Sequence, residues 1–563
     1  MRELASLWTG TGEESARARK IAWAWRTANF GEKRGVSGLR CDHMLAGAVL
    51  ALLLGAPLCA RAQEAQQTAV AIVSSQESTA ADPLASLDPA DRVVAERIRE
   101  LLAAKPSRIF ASDNELAAIQ AFYQSRNLAP LWLDKGVENA RARAVIVRLK
   151  NADADGLEPD DYKTPSFAGL AADALAEAEL TLTQSVLTYT RHVQAGRAPY
   201  RTVRQDNIWV PQAAPDPALV LQTIAEAADA GSALDQFTPP HEAYRKLKAA
   251  LAQLRGNIAS GRKNHAAPDR RIDTVIANME RWRWYPRDLG TAHIEVNEPD
   301  FTLKVLHEGR QVWASRIVIG MPSMPSPLLS EKMVSITINP TWHVPPSIVQ
   351  NEYLPAQRRD RGVLSRMGIR VEHKDGEVQM FMPPGGENPL GHIRFNFYNR
   401  FLVFQHDTPD QYLFAHKVRA ESHGCMRVQD AAKYAEILSH MARPDEQWTA
   451  AKIKTLYGGP EQEIDLQTVP IWIHLTYQTA FVDDAGRLQI RPDLYNLDSR
   501  TLAAIKNAHT VSAPPLPAPK SEPVVAAPAR QPAVAPQKRK QAHHPPRQVA
   551  VQPPIFFLGG IRY

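Results

Sequence analysis

Cysteine is scarce in this chain, which has only three in 563 residues: Cys41, Cys59 and Cys425. The first two lie in or beside an apolar segment at residues 44–54, which precedes Ala-Arg-Ala at 60–62. This is the pattern of an export signal that is cleaved after residue 62. Cleavage leaves Cys425 alone, so no disulfide framework is expected. A single thiol in an oxidising compartment is either a small buried hydrophobe or a reactive group.

Long apolar runs are also missing. No run reaches the ~18 residues that a membrane span needs, and residues 44–54 are too short for one. We therefore expect a signal peptide at 1–62 and an exported, periplasmic protein without a permanent membrane span. Residues 1–43 are long for such a signal, so either translation begins near Val36 or Met44, or the chain has a genuine cytoplasmic extension. Residues 63–84 predict a flexible leader.

The excess of positive charge in the whole chain equals that of its C-terminal end. The formal net charge is +6, and residues 511–563 carry seven Lys/Arg against one Glu, together with twelve of the 43 prolines. Because this segment accounts for the whole excess, the charge does not indicate nucleic-acid binding by the folded part. The composition predicts a Pro-rich, basic, disordered tail at 510–563.

Two short stretches concentrate the residue types of acyl transfer. Residues 406–409 read His-Asp-Thr-Pro, and residues 422–427 read Ser-His-Gly-Cys-Met-Arg. Cys425 is the predicted nucleophile, and either His406 or His423 can supply the base that its thiol needs. Gly424 lets the backbone approach a reacting carbonyl, so the amides around it form a candidate oxyanion hole. Arg427 is a fixed cation suited to a substrate carboxylate.

A helix is predicted directly after these residues. Asp430 is a candidate N-cap, and the apolar spacing that follows predicts a helix over 431–441. The positive end of this helix would favour the thiolate of Cys425.

The remaining elements predict two domains of different class. Helical patterns fill residues 85–260, whereas alternating strands fill 270–500, so we predict an α+β protein with a β-rich, sandwich-like second domain. An apolar strand at 401–404 would deliver His406 at its end. A long insertion at 344–396, basic in its middle, is interpreted as a lid over the Cys425 cleft.

The stretches at 406–409 and 422–427 resemble the active-site signature of the YkuD-type L,D-transpeptidases, which cross-link peptidoglycan. The separation of 19 positions between His406 and Cys425 is similar to that of the YcbB-like subgroup. Residues 278–284, 339–346 and 475–480 agree with this subgroup. The resemblance implies a catalytic domain at 270–500 with a capping loop at 344–396, and a helical scaffold domain at 85–260.

The resemblance also implies a reaction. Cys425 would attack the carbonyl of the third residue of a tetrapeptide stem and release D-alanine, and the side-chain amine of a diaminopimelate on a neighbouring stem would resolve the acyl-enzyme as a 3→3 cross-link. His406 is then the proton donor and acceptor, His423 is auxiliary, and Arg427 and Trp342 contact the substrate. No cofactor and no metal are implied, and carbapenems would acylate the cysteine.

Other functions stay open at this point. Water could resolve the same acyl-enzyme, as in an L,D-endopeptidase or carboxypeptidase, or an amine of an envelope protein could do so and anchor that protein to the wall. A zinc hydrolase would use His406, His416, His423 and Cys425 as ligands, but their spacing matches no compact zinc motif. A catalytically idle wall-binding scaffold is weakened because nucleophile, base and arginine are all present.

Overall fold

The computed structural model describes residues 83–105, 109–110, 112–204, 206–211, 213–259, 269–374 and 377–508. The predicted signal peptide, nearly all of the leader, the C-terminal tail, Cys41 and Cys59 lie outside these residues. Within them, no helix combines the length and the apolar character that crossing a membrane requires.

The N-terminal part is helical, as predicted. Asp88 caps the first helix by accepting a hydrogen bond from the amide of Ala90 at 2.9 Å, and Pro89 occupies the first helical position. The helices are α1 (Pro89–Ala104), α2 (Asp113–Ser125), α3 (Ala140–Lys150), α4 (Ala172–Ala195), α5 (Tyr200–Arg204), α6 (Pro217–Glu226), α7 (Ala230–Ala233) and α8 (Glu242–Ala259). Strands β1 (Leu133–Asp134) and β2 (Val137–Glu138) form a small hairpin, and β3 (Ile208–Trp209) follows α5. One apolar core unites α1–α4, α6 and α7.

The second part is rich in strands, as predicted. It begins with α9 (Arg270–Trp282), and the alternation of apolar residues that predicted a hairpin near 301–319 is realised by β5 and β6. Its main strands are β4 (Ala292–Asn297), β5 (Thr302–His307), β6 (Arg310–Gly320), β7 (Leu328–Ile338), β11 (Ile393–Phe397), β12 (Gln405–His406), β13 (Ala420–Ser422), β14 (Met426–Val428), β15 (Gln462–Asp465) and β16 (Ile471–Thr476). Strands β17 (Ala480–Val482) and β18 (Leu488–Ile490) form a separate hairpin.

These strands form one sheet that closes on itself. The order is β11-β12-β14-β6-β5-β4-β16-β7-β15, and β11 also pairs with β7, which completes the circuit. The interior of the closed sheet is apolar and includes Ile294, Ile336 and Phe395, each fully buried. Helices α13 (Ala431–Ala442), α14 (Ala450–Thr455) and α15 (Leu497–Asn507) follow the strands. The sequence suggested a sandwich, and the β7–β11 pairing is what turns the β-rich domain into a closed sheet.

The insertion predicted as a lid is a folded subdomain, which we call the cap (residues 342–382). It contains β8 (Trp342–His343), α10 (Pro346–Ile348), a π-helical turn at Val349–Tyr353, α11 (Leu354–Arg359), α12 (Val363–Arg366), β9 (Arg370–Lys374) and β10 (Glu377–Met382). Its three strands form their own sheet, and its core includes Trp342, Leu364 and Met380. Residues 393–396, which the sequence placed in the insertion, belong to β11 of the main sheet instead.

The apolar strand predicted at 401–404 is absent, and this prediction was wrong. The strand that carries His406 is only Gln405–His406. Asn399 explains the difference, because its side chain accepts hydrogen bonds from the amides of Phe401 (3.1 Å) and Val403 (3.2 Å) and donates to the carbonyl of Val403 at 2.7 Å. A side chain that satisfies the backbone in this way competes with strand pairing.

The helical part and the β-rich part share a buried interface. Strand β3 pairs in parallel with the start of β7, and Leu247 and Leu251 of α8 belong to the apolar core of the β-rich part. The buried Arg283 donates to Glu280 at 2.6 Å and to the hydroxyl of Tyr244 at 3.0 Å. A buried guanidinium that is ion-paired with a carboxylate fixes the geometry of the groups around it, because leaving either charge unpaired would be costly.

Candidate active site

Neighbouring strands bring His406 close to the chain that follows Cys425. Strand β12 lies between β11 and β14, with His406 opposite Arg394 on one side and Arg427 on the other. Cys425 directly precedes β14, two residues before Arg427, and side chains two apart in a strand share a face. The amide of Met426 donates to the carbonyl of Phe404 at 3.1 Å, which holds this register up to the cysteine. Thiol, imidazole and two guanidinium groups therefore lie together.

The thiol of Cys425 is neutral in the resting protein. Burial raises its pKa to about 11, although Phe404 through a backbone hydrogen bond, Arg394 and Arg427 act in the opposite direction. We expected the N-terminus of the following helix to favour the thiolate. That helix is α13, which extends to Ala442, one residue beyond the prediction, and Asp430 precedes it with φ = 55° and no capping hydrogen bond from its side chain. Desolvation of the sulfur outweighs the positive groups around it.

His406 is also neutral, and its tautomer is defined by its partner. The side chain is buried, and Nδ1 lies 2.5 Å from the carbonyl oxygen of Asp407. A carbonyl can only accept a hydrogen bond, so Nδ1 carries the proton and Nε2 keeps its lone pair. Burial, followed by the charge of Arg427, lowers the pKa of His406 to about 3. The imidazole can therefore accept a proton at Nε2 without first losing one.

Two serine hydroxyls hold the backbone around Cys425. Ser422 Oγ donates to the carbonyl of Cys425 at 2.5 Å and accepts from the amide of Gly424 at 3.2 Å. Ser326 Oγ donates to the carbonyl of Gly424 at 2.7 Å and accepts from the amide of Gly320 at 3.0 Å. Gly424 has φ = 111°, a backbone conformation that residues other than glycine rarely adopt. The loop before the sulfur is thus fixed on both faces.

The predicted oxyanion hole requires that the backbone amide of Gly424 be free to donate a hydrogen bond. Its amide is already bonded to Ser422, so it could donate to an oxyanion only after leaving that hydroxyl. The role of the Gly424 amide stays a prediction.

His423 turns towards the cap. Its Nε2 lies 2.8 Å from Oε1 of Glu352, and the two side chains are 38% and 44% exposed. The pair joins the residue two before Cys425 to the π-helical turn of the cap. His406, by contrast, lies in β12, which pairs with β14 directly after Cys425, and the choice between the two histidines as the base stays a prediction.

The two predicted substrate contacts differ in their surroundings. Arg427 is partly buried and donates to Asp410 at 2.8 Å and to Thr408 at 3.3 Å, while its buried Nε has no partner within the described residues. Trp342 is only 8% exposed and belongs to the core of the cap, where it meets the ring of Tyr353 edge-on. The geometry gives Trp342 a packing role, and its contact with substrate stays a prediction.

Sequence reasoning missed three residues of the site. Arg394 was visible only as a charge inside the alternating pattern of β11. Ser326 and Glu352 gave no signal, because they lie 98 and 71 positions from their partners Gly424 and His423.

The four ligands of the zinc alternative do not converge. His416 pairs with Glu421 at 2.7 Å, His423 with Glu352, and His406 with a carbonyl oxygen. In the part of the chain that the structure describes, no three His, Cys, Asp or Glu side chains are arranged to hold a metal ion. The donor geometry therefore does not favour a metal centre at this site.

Comparison with known proteins identifies both parts of the chain. Residues 291–453 match the family described as the L,D-transpeptidase catalytic domain, YkuD, and residues 117–251 match the Scaffold domain family. The chain therefore carries a YkuD-type L,D-transpeptidase catalytic domain together with a Scaffold domain, as the resemblance implied.

Two individual proteins are similar to this chain. A protein of Haemophilus influenzae named "Putative L,D-transpeptidase" is 24% identical over 415 residues, which cover 67% of this chain and 77% of the relative. A solved structure described as the Ldtfm-avibactam carbamoyl enzyme is 13% identical and covers 34% of this chain and 52% of its own. Its TM-score of 0.18 is too low to support an argument about the fold.

Proposed function

We propose that this protein is a peptidoglycan L,D-transpeptidase that forms 3→3 cross-links through an acyl-enzyme on Cys425. The observation that supports this most is the tautomer of His406, which leaves Nε2 unprotonated on a strand that pairs with β14 directly after Cys425. The substrate class comes from the catalytic-domain family, whose members act on the cell wall. We further propose that the protein works in the periplasm after export.

In the acylation step, the sulfur attacks the carbonyl of the third residue of the donor stem while His406 Nε2 takes the thiol proton. A high thiol pKa and a low imidazole pKa disfavour a free thiolate–imidazolium pair. The proton is therefore transferred as the C–S bond forms. When the C–N bond breaks, the imidazolium returns this proton to the amine of D-alanine. An imidazolium flanked by two guanidinium groups is a strong acid, which favours that return.

In the second step, the side-chain amine of a diaminopimelate on another stem attacks the thioester. His406 takes a proton from this amine and gives it to the departing sulfur, so the thiol is regenerated and an amide is formed. Arg427 is the proposed contact for a carboxylate of the donor, because one of its nitrogen donors is unpaired and a guanidinium binds carboxylates well. If water replaces the amine, the same intermediate yields the hydrolase alternative.

Intact-protein mass spectrometry tests this proposal. The full-length protein is incubated with a disaccharide-tetrapeptide, with and without an amine acceptor, beside Cys425→Ala as the control. We expect a Cys425-dependent adduct that converts to a 3→3 dimer only with the acceptor. An adduct that only hydrolyses would contradict transpeptidation, and no adduct with either the stem or a carbapenem would contradict the nucleophile.

A further inference from the structure

An aromatic and cationic surface lies where the Scaffold domain meets the loop that follows β11. We call it the Trp209 platform, and it consists of Trp209, Arg201, Arg400 and Phe401. Cζ of Arg400 lies 4.9 Å from the ring centroid of Trp209 and 5.8 Å from that of Phe401, and Cζ of Arg201 lies 5.8 Å from that of Trp209. The loop that follows β11 therefore meets β3 of the Scaffold domain there.

The two arginines of the platform are available to a ligand. Both side chains are exposed, and among the residues that the structure describes neither has a carboxylate within ion-pair distance. Arg201 donates from Nε only to the hydroxyl of Tyr200, at 3.3 Å. Two unneutralised guanidinium groups against aromatic rings match an acidic ligand, because their planar donors bind carboxylates with two parallel hydrogen bonds.

Two short routes connect the platform to the residue before the nucleophile. Asn207, two residues before Trp209, donates to the carbonyl of Ser326 at 2.9 Å, and Ser326 in turn holds the carbonyl of Gly424. On the other side, Val403 approaches within 3.8 Å of the point where a Cβ of Gly424 would lie. Residues two positions from Trp209 and Phe401 therefore connect the platform to Gly424, whereas the cap contacts His423.

We propose that the Trp209 platform binds the acceptor, an acidic stem peptide whose amine resolves the acyl-enzyme. This inference rests on the proposed function. The donor carbonyl must lie between the sulfur and His406, where Arg427 on the paired strand can hold its carboxylate. While Arg427 holds the donor, a second peptide needs a different cationic contact. The platform supplies one, and it is connected to Gly424. The Scaffold domain thereby contributes directly to the choice of acceptor.

The test separates acylation from transfer. The double variant Arg201→Gln/Arg400→Gln is compared with the wild type in the full-length protein, with Arg99→Gln, an exposed arginine of α1, as the matched control. D-Alanine release in a single turnover reports acylation, and dimer yield against acceptor concentration reports transfer. We expect acylation and hydrolysis within about twofold of the wild type. The acceptor concentration for half-maximal transfer should rise about 10-fold, the effect of removing two partly exposed charge-assisted contacts.

An acceptor with amidated carboxylates makes the test specific for charge. The wild type should prefer the acidic acceptor, and the double variant should lose this preference. Unchanged transfer, an equal fall in acylation and transfer, or a preference that depends on the disaccharide rather than on the carboxylates would each overturn the inference. If the wild type itself forms no acyl-enzyme, the proposed function fails, and that failure is distinguishable from loss of transfer alone.

Discussion

At the scale of single residues, the site combines a weakly acidic thiol with a weakly basic imidazole. Burial sets both properties, since it raises the pKa of Cys425 to about 11 and lowers that of His406 to about 3. A neutral thiol reacts slowly with oxidants and alkylating agents, because the thiolate is the reactive form. Cys425, the one cysteine among the described residues, is therefore expected to resist oxidation and alkylation at neutral pH.

The raised thiol pKa predicts the pH dependence of alkylation. Because Cys425 is protonated below pH 11, its thiolate fraction should rise about tenfold for each pH unit from 7 to 10. Modification by iodoacetamide, followed by intact mass, should rise in parallel, whereas free cysteine should level off near its ordinary pKa of about 8.5. A plateau for the protein below pH 9 would contradict the neutral resting thiol.

The assignment of the base predicts unequal effects of the two histidines. His406→Ala should slow acylation by about 10²- to 10⁴-fold, the range for loss of a general base. His423→Ala should cost far less, because His423 is 38% exposed and engaged with Glu352. Single-turnover release of D-alanine measures both. If His423→Ala were the more damaging change, the assignment would be reversed.

At the scale of elements, a polar contact between Glu352 and His423 joins the cap to the residues before Cys425. The pair between Glu352 and His423 is partly exposed, so it contributes at most about 1 kcal/mol. A contact of this strength can hold the cap in position and still open for a substrate. The folded core of the cap suits movement as a unit, because its sheet is separate from the main sheet.

Loss of this pair predicts a looser cap. In Glu352→Gln, the charge on the cap side is removed while the size of the side chain is kept. Backbone amides over 346–366 should then exchange about two- to fivefold faster with deuterium, as expected for loss of under 1 kcal/mol. The control is Glu372→Gln, an exposed carboxylate of the same subdomain. Equal exchange in both variants would show that the pair does not hold the cap.

At the scale of the whole molecule, buried histidines line the interface between the Scaffold domain and the catalytic sheet. His241 precedes α8, and His293 and His474 lie on the paired strands β4 and β16 with ring centroids 5.8 Å apart. Burial lowers the pKa of both His241 and His474 to about 4, with opposing contributions from Glu295. Both must stay neutral in the folded protein, so acid should weaken this interface.

The lowered pKa values predict how stability changes with pH. Between pH 4 and 6.5 the unfolded chain binds protons that the folded His241 does not, so the free energy of unfolding falls as the pH falls through this window. In His241→Phe, the change in the free energy of unfolding across this pH window should be smaller than in the wild type by at most about 3 kcal/mol. Denaturant titrations of variant and wild type measure this difference. Glu179 and Glu331, whose pKa values are raised to about 7, make the free energy of unfolding fall as the pH rises. Both proteins contain these residues, so their contribution cancels when the variant is compared with the wild type. Parallel curves would contradict the prediction.

The sequence by itself determined the candidate nucleophile, the candidate bases, the helix that follows them and the division into a helical and a β-rich part. Each of these depends on residue type, local spacing or periodicity, which the chain carries whatever its tertiary context. Local patterns also misled where a side chain overrode them, as Asn399 did by turning an apolar stretch into a loop.

Only the tertiary structure decided that His406 is buried and His423 is engaged with Glu352, which tautomer His406 adopts, and how far the pKa values of His406 and Cys425 move. These properties depend on burial and on partners far away in sequence, such as Ser326 for Gly424 and Glu352 for His423. The same holds for the Trp209 platform, whose two arginines come from different domains. Desolvation and cross-strand pairing are properties of the assembled fold, and no local pattern encodes them.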